Sequence, residues 1–222
     1  MTERVLFLVR HGRSDFSSND MTQTPRGLQF DPPLDELGRE QAALLAKRLL
    51  VMEPPAAVYC SPFRRARETV APFAERAGVE VRYDDDLVEA NIGEWESKSF
   101  EEILENDGRL LHRLRNQEPI WRHAPRAEDL SSFRDRVGAA IERIVDRHPE
   151  GNLIVICHGG VINVYLGPLL GLSQEMFFLP ENTSLNSVLI DGPDRRVRFL
   201  NDVLHLTDPH LFEPEGLKPR GG

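Results

Sequence analysis

Residues 5–14 read Val-Leu-Phe-Leu-Val-Arg-His-Gly-Arg-Ser. Five apolar residues in a row, Val5 to Val9, with no polar alternation, describe a strand covered on both faces, as in the middle of a parallel sheet. The run is too short for the core of a signal peptide and far too short to cross a bilayer, so a strand is the reading it supports. It stops abruptly at Arg10-His11-Gly12. A second run of the same kind, Leu153 to Cys157, stops at His158-Gly159-Gly160, and a third, Ala56 to Cys60, stops at Ser61-Pro62-Phe63-Arg64-Arg65.

Helical patterns lie between these strands. Leu34 to Met52 places Leu37, Leu44, Leu45, Leu49 and Leu50 on one side, with Asp35 and Glu36 supplying negative charge at the start. Ser61-Pro62 predicts the start of a helix reaching Ala77, since Ser caps and Pro fits a first turn. Ser131 to Arg147 repeats apolar residues at helical spacing, and a further helix runs from His158 to Leu170. Val79–Tyr83 reads as a short strand, and Ser187–Ile190 with Arg196–Leu204 as a hairpin around Gly192-Pro193-Asp194. The stretches from Gly12 to Pro33 and from Asp84 to Ser99 read as irregular. This alternation predicts an α/β three-layer sandwich, a mostly parallel central sheet with helices on both faces. It forms one domain over residues 1–207, followed by a loose tail over 208–222. Ligands of such sheets sit beyond the carboxyl ends of the strands, where Arg10, His11, His158 and the arginines after Cys60 converge.

With 222 residues the chain suits one catalytic domain. Its 27 Lys and Arg against 36 Asp and Glu give a net charge of −9, and no basic block offsets this. Generic binding to nucleic acid or to an anionic membrane is therefore not expected. Cys60 and Cys157, each closing an apolar run, form no disulfide framework, and a cytoplasmic address is expected. His112, His123, His148, His205 and His210 lack metal-ligand spacing and read as surface or capping residues. Asp84 to Asp86 reads as a solvated acidic turn, so no metal is expected. A cysteine-phosphatase loop needs Arg six residues after the Cys, where this chain has Ala66 and Asn163.

Taken in order, LVRHGRS, DPPLDELGREQA, SPFRRARET, LVEANIGEWE and VICHGGVI resemble the histidine phosphatase superfamily, also called phosphoglycerate mutase-like, over most of the chain. The resemblance implies that His11 is a nucleophile forming a phosphohistidine, as a neutral imidazole can at physiological pH. It implies that Arg10, Arg65 and His158 bind the phosphoryl oxygens, aided by a backbone amide near Gly159, and that Glu89 is the proton donor. Periodicity alone does not choose among Arg64, Arg65 and Arg67, nor among Glu89, Glu94 and Glu96; the family spacing selects Arg65 and Glu89. No cofactor or metal is implied, the substrate is a small-molecule phosphate monoester, and a homodimer is common among members.

Three departures from the family pattern stand out. Ser17 occupies the place of a frequent Asn, a shorter group giving a weaker or water-mediated phosphate contact. Arg13 replaces a usual Glu or Gln, and its charge predicts tolerance for a second anionic group on the substrate. The segment after Trp95 is shorter than in phosphoglycerate mutases and lacks their Tyr-Gly-x-Leu-x-Gly run, which favours a phosphatase over the alternative, cofactor-dependent mutase chemistry. A non-catalytic phosphate-binding scaffold is the third reading, and it has no use for a nucleophile and an acid. Met21, Phe30 and Trp121 are candidates for apolar contact with the leaving group, with packing as their other role.

Overall fold

The computed structural model describes residues 4–116, 123–174 and 176–213. The chain enters through β1 (Arg4–Arg10), forms a small hairpin from β2 (Met21–Thr24) and β3 (Gly27–Phe30), and continues through α1 (Glu36–Leu50), β4 (Ala57–Cys60), α2 (Arg64–Ala77) and β5 (Val81–Tyr83). Short helices α3 (Phe100–Asn106) and α4 (Leu110–Arg115) lead to α5 (Leu130–Arg147), β6 (Leu153–Cys157) and α6 (Gly159–Leu169). The hairpin of β7 (Leu185–Asp191) and β8 (Asp194–Asp202) and the single turn α7 (Leu204–Thr207) follow. Sheet order is β5-β4-β6-β1-β7-β8. The first four strands run parallel and the last two antiparallel, so the sheet is mixed and mostly parallel.

Both faces of β1 are covered, which is why its sequence does not alternate. Leu6 and Leu8 pack with Val137, Ile141 and Ile144 of α5 and with Ile162 and Leu166 of α6. Val9 packs on the other face with Leu45 and Leu49 of α1 and Val70 and Phe73 of α2. Each fully buried leucine contributes on the order of 2 kcal/mol, which makes these two clusters the main support of the sheet. Cys60 belongs to one cluster and Cys157 to the other. Both are free thiols on opposite faces of the sheet.

Several local expectations change. Leu37 and Leu50 of α1 are exposed, and the buried stripe is Gly38, Ala42, Leu45, Ala46, Arg48 and Leu49, whose small residues let α1 approach closely. Ser61 does not cap α2; the first-turn N–H of Arg64 is met instead by Asp31 Oδ1 at 2.8 Å. The Gly12–Pro33 stretch contains the β2–β3 hairpin. Asp84 and Asp86 do not form a merely solvated turn: both pair with Arg143, and Asp86 also with Arg26. His205 is neither a surface nor a capping residue but fully buried, with Nε2 3.0 Å from Thr183 Oγ1. Residues 208–213, expected within the loose tail, contact α1. Lys47 pairs with Glu213 at 3.0 Å and Arg48 lies over the Phe212 ring, fastening this turn to α1. The rest of the expected tail, 214–222, and Trp121 lie outside the described residues. Among those residues no helix is long and apolar enough to cross a membrane.

Candidate active site

Sheet hydrogen bonding runs on past the strand ends and sets the site. The His11 N–H donates to Cys157 O at 3.0 Å, the Ser61 N–H to Ile156 O at 2.9 Å, and the Thr183 N–H to Arg10 O at 3.0 Å. The backbone at Arg10-His11 is thus held from both neighbouring strands. Gly12 and Gly38 let α1 dock on the turn after β1: a Cβ on Gly38 would stand 2.0 Å from Arg13 O, and one on Gly12 2.7 Å from Gly38 O. Thr69 ties the same turn to α2, accepting from the Gly12 N–H at 2.9 Å and donating to Arg65 O at 2.7 Å.

His11 and His158 are both buried, their ring centroids 5.1 Å apart. His11 Nδ1 lies 2.7 Å from Gly12 O. A carbonyl only accepts, so Nδ1 carries the proton and Nε2 is left with its lone pair. Burial first, then the Arg65 and Arg10 guanidinium groups, push the His11 pKa well below its ordinary value, and burial with the same arginines does so for His158. Both imidazoles are neutral at physiological pH. His158 Nε2 is 2.8 Å from Ser61 Oγ, Phe63 packs edge-on against its ring, and its Nδ1 is buried with no partner among the described residues.

Of the three arginines of α2 considered, Arg65 alone is buried. It donates to Phe30 O at 3.0 Å and stacks over Phe63, with Asp31 at 3.5 Å. Burial brings its pKa down to about 10, which leaves it charged at neutral pH. Arg64 pairs with Glu68 and Asp20 at the surface, and Arg67 lies exposed against Tyr83. Arg10 donates to Pro180 O, and its buried Nε has no partner among the described residues and lies 3.8 Å from where a Cβ on Gly159 would stand.

The Glu89 carboxylate accepts from the Gly160 N–H at 2.8 Å and the Ala90 N–H at 2.9 Å, and it contributes to the field on both Arg10 and Arg65. Glu96 is taken up by the N–H groups of Phe30 and Ile92, each at 2.8 Å, and Glu94 pairs with Arg126. Arg10, His11, Arg65, Glu89, His158 and Gly159 therefore gather at one place. Gly159 opens α6, whose N-terminal amides favour an anion. Ser17 is exposed, with its hydroxyl and its N–H both turned to Asp15. Arg13 is also engaged elsewhere, paired with Asp35, the cap of α1.

Further residues shape the site without a sequence signal for it. Asn182 donates to His11 O at 2.9 Å. Arg136 and Gln29 both donate to Glu89 O at 3.2 Å. Beside Arg65, and sharing Phe30 with it, opens a cavity of about 590 Å³ whose walls include Phe16, Met21, Phe30, Ile92, Trp95 and Lys98.

Together these groups provide an unprotonated imidazole nitrogen next to two guanidinium groups, with a carboxyl within the same field. That is the equipment for holding and transferring a phosphoryl group. Comparison with known proteins agrees. The family model described as histidine phosphatase superfamily (branch 1) matches residues 6–203. The chain is 30% identical over 203 residues to phosphoserine phosphatase 1 of Hydrogenobacter thermophilus, spanning 90% of this chain and 93% of that protein. It is 28% identical over 203 residues to a metal-independent phosphoserine phosphatase of Arabidopsis thaliana, spanning 91% and 83%. The solved structure of YhfR from Bacillus stearothermophilus superposes with a TM-score of 0.77 at 27% identity, covering 91% of this chain and 99% of that one. This chain belongs to branch 1 of the histidine phosphatase superfamily.

Proposed function

We propose that the protein is a metal-independent phosphomonoester hydrolase of small molecules that works through a phosphohistidine at His11. The observation that carries this reading is the tautomer of His11: Nδ1–H is committed to Gly12 O, so a buried, neutral Nε2 presents its lone pair beside Arg10 and Arg65. In the first step Nε2 attacks phosphorus, the bond to the leaving oxygen breaks, and Glu89 gives that oxygen its proton. In the second step water attacks the phosphoryl group, Glu89 takes a proton from it, and the P–N bond breaks to restore His11. Arg10, Arg65, His158 and the α6 amides at Gly159 hold the equatorial oxygens throughout, the charge stabilisation a metal supplies elsewhere. The similarity to a metal-independent phosphoserine phosphatase supports this. No basic block directs the protein to nucleic acid, and a cytoplasmic setting suits its two free thiols.

The test is turnover in chelator of p-nitrophenyl phosphate and a panel of monoesters, including 3-phosphoglycerate with and without its bisphosphate, by wild type and His11→Ala. Release of inorganic phosphate that depends on His11, with an alkali-stable and acid-labile phosphoenzyme, is expected. Full turnover by His11→Ala overturns the reading. Isomerisation without phosphate release replaces it with mutase chemistry.

A further inference from the structure

We propose that Ser61 is a positioning residue that fixes the tautomer of His158, so that this imidazole meets the phosphoryl group as a hydrogen-bond donor at Nδ1. The inference rests on the phosphoryl-transfer reading of the site. Ser61 is fully buried and follows β4, its N–H donating to Ile156 O of the neighbouring β6 at 2.9 Å. The sheet therefore places its hydroxyl, 2.8 Å from His158 Nε2.

A neutral imidazole has one N–H, and two arrangements satisfy that contact. Either the serine O–H donates to Nε2 and the ring proton sits on Nδ1, or Nε2–H donates to Oγ and Nδ1 keeps a lone pair. The Ser61 end of the contact favours the first. Ser61 Oγ already faces the Phe63 N–H at 3.4 Å, and among the described residues Nε2 is the acceptor within reach of its proton. A buried hydroxyl proton left without an acceptor is unfavourable. The other end of the ring asks for the same tautomer. Among the described residues Nδ1 is buried without a partner, on a ring whose centroid lies 5.1 Å from that of His11. Phosphoryl oxygens only accept, so they pair with Nδ1–H and oppose a lone pair there. Phe63, edge-on at 5.3 Å between centroids, restrains the ring from turning over.

His158 stays neutral through burial and the neighbouring arginines, so it has a single proton to place and no second one to make good an error. Ser61 touches neither the phosphoryl group nor His11 in this scheme; it acts through His158.

The test begins with wild-type protein carrying 15N-labelled histidine, saturated with inorganic phosphate and read by NMR, the His158 signals assigned against His158→Ala. Protonated Nδ1 is expected, and an Nε2–H tautomer overturns the proposal. In kinetics, Ser61→Ala is expected to lower kcat/KM and weaken inhibition by inorganic phosphate by about tenfold each, while in the His158→Ala background it changes neither by more than about twofold. Losses that multiply in the double variant overturn the proposal. The NMR arm needs no turnover and no Ser61 variant, so it decides the tautomer even if Ser61→Ala does not fold. Failure of the hydrolase reading shows separately, as turnover retained by His11→Ala.

Discussion

Glu89 and Gly160 are fitted to one another: the carboxylate accepts the Gly160 N–H at 2.8 Å, and a Cβ on Gly160 would stand 2.3 Å from Glu89 Oε1. The first turn of α6 thus holds the proposed proton donor only because residue 160 has no side chain. Gly160→Ala separates activity from stability. Alanine favours a helix more than glycine does, and the clash is with the far end of a flexible side chain, so the fold tolerates it. The displaced carboxyl no longer reaches the leaving oxygen. We expect a melting temperature within a few degrees of wild type and a fall in kcat/KM, which reports the phosphorylation step alone, of about 100-fold on alkyl phosphates. The loss should be smaller on p-nitrophenyl phosphate, whose leaving group needs little protonation. An equal loss on both substrates would place the effect on phosphate binding instead.

Sequence and structure agree where burial imposes a pattern. β1 and β6 are covered on both faces, and that condition alone produces uninterrupted apolar runs, so the sheet and the meeting of Arg10, His11 and His158 at its edge were legible. The β2–β3 hairpin was not, because its four-residue strands are largely polar and tie into the site through Gln29 rather than through an apolar face. Ser61 has the look of a helix cap, yet its hydroxyl has a tertiary partner in His158, and Asp31, 33 residues from Arg64, supplies the cap. His205 owes its burial to Arg48 and Thr183, both distant in sequence, which no local periodicity reports. Arg65 and Glu89 each stand among similar neighbours. Only the family resemblance singled them out, and the structure distinguishes them by where the backbone aims each side chain.

Arg136 fastens the segment that carries Glu89. Its side chain, 10% exposed, donates to the carbonyls of Asp86 at 2.7 Å, Val88 at 2.9 Å and Glu89 at 3.2 Å, and pairs with Glu128 at 2.6 Å. Arg136→Met strips all of these and leaves the nearly buried Glu128 carboxylate facing the Asn91 N–H at 3.2 Å and, as its one remaining cation among the described residues, the more distant Arg26 at 3.6 Å. Breaking one side of such a pair costs about 3 kcal/mol or more, which corresponds to a drop in Tm of roughly 6–12 °C for a domain of this size. Thermal unfolding checks the first part. Adding Glu128→Gln to Arg136→Met should recover part of the Tm, because no unpaired charge remains, without recovering kcat, because the Glu89 carbonyl still lacks its donor.

The buried histidines set how stability depends on pH. His11 and His158 have folded pKa values well below the ordinary 6.5, and burial with Arg48 lowers His205 to about 4. In each case the unfolded chain takes up the proton first as pH falls, so the unfolded state binds more protons below 6.5 and stability rises with pH there. Stability should be nearly flat above pH 7.5 and decline from 6.5 downward, each histidine adding a slope of up to about 1.4 kcal/mol per pH unit. Asp31 and Glu96, whose pKa values burial raises, act in the opposite sense nearer the carboxylate range, so the histidine slope is cleanest between about pH 5 and 6.5. Urea unfolding at half-unit steps, with His205→Gln as comparison, measures it. The variant should lose about 1 kcal/mol per pH unit of slope in that window; an unchanged slope would show that His205 is protonated in the native state.

Arg13, two residues from His11, has a charge that in sequence alone points toward a second anionic group on the substrate. The structure commits that charge elsewhere. The Arg13 guanidinium pairs with Asp35, and the same carboxylate accepts the Gly38 N–H at 2.7 Å as the cap of α1, while the Arg13 N–H donates to Gln41 at 2.9 Å. Arg13 therefore belongs to the junction between the turn after β1 and the start of α1. Its side chain is half exposed, and an ion pair in that position contributes between 0 and about 1 kcal/mol, less in high salt. Arg13→Gln should leave the ratio of kcat/KM between mono-anionic and di-anionic phosphate esters within about twofold of wild type, and lower stability by no more than about 1 kcal/mol. The informative comparison is with Asp35→Ala, which removes the ion pair and the cap together and should cost about 1 kcal/mol more. A selective loss of di-anionic substrates in Arg13→Gln, with Tm unchanged, would mean that Arg13 leaves Asp35 when substrate arrives and that the sequence reading, not the resting geometry, describes the working enzyme.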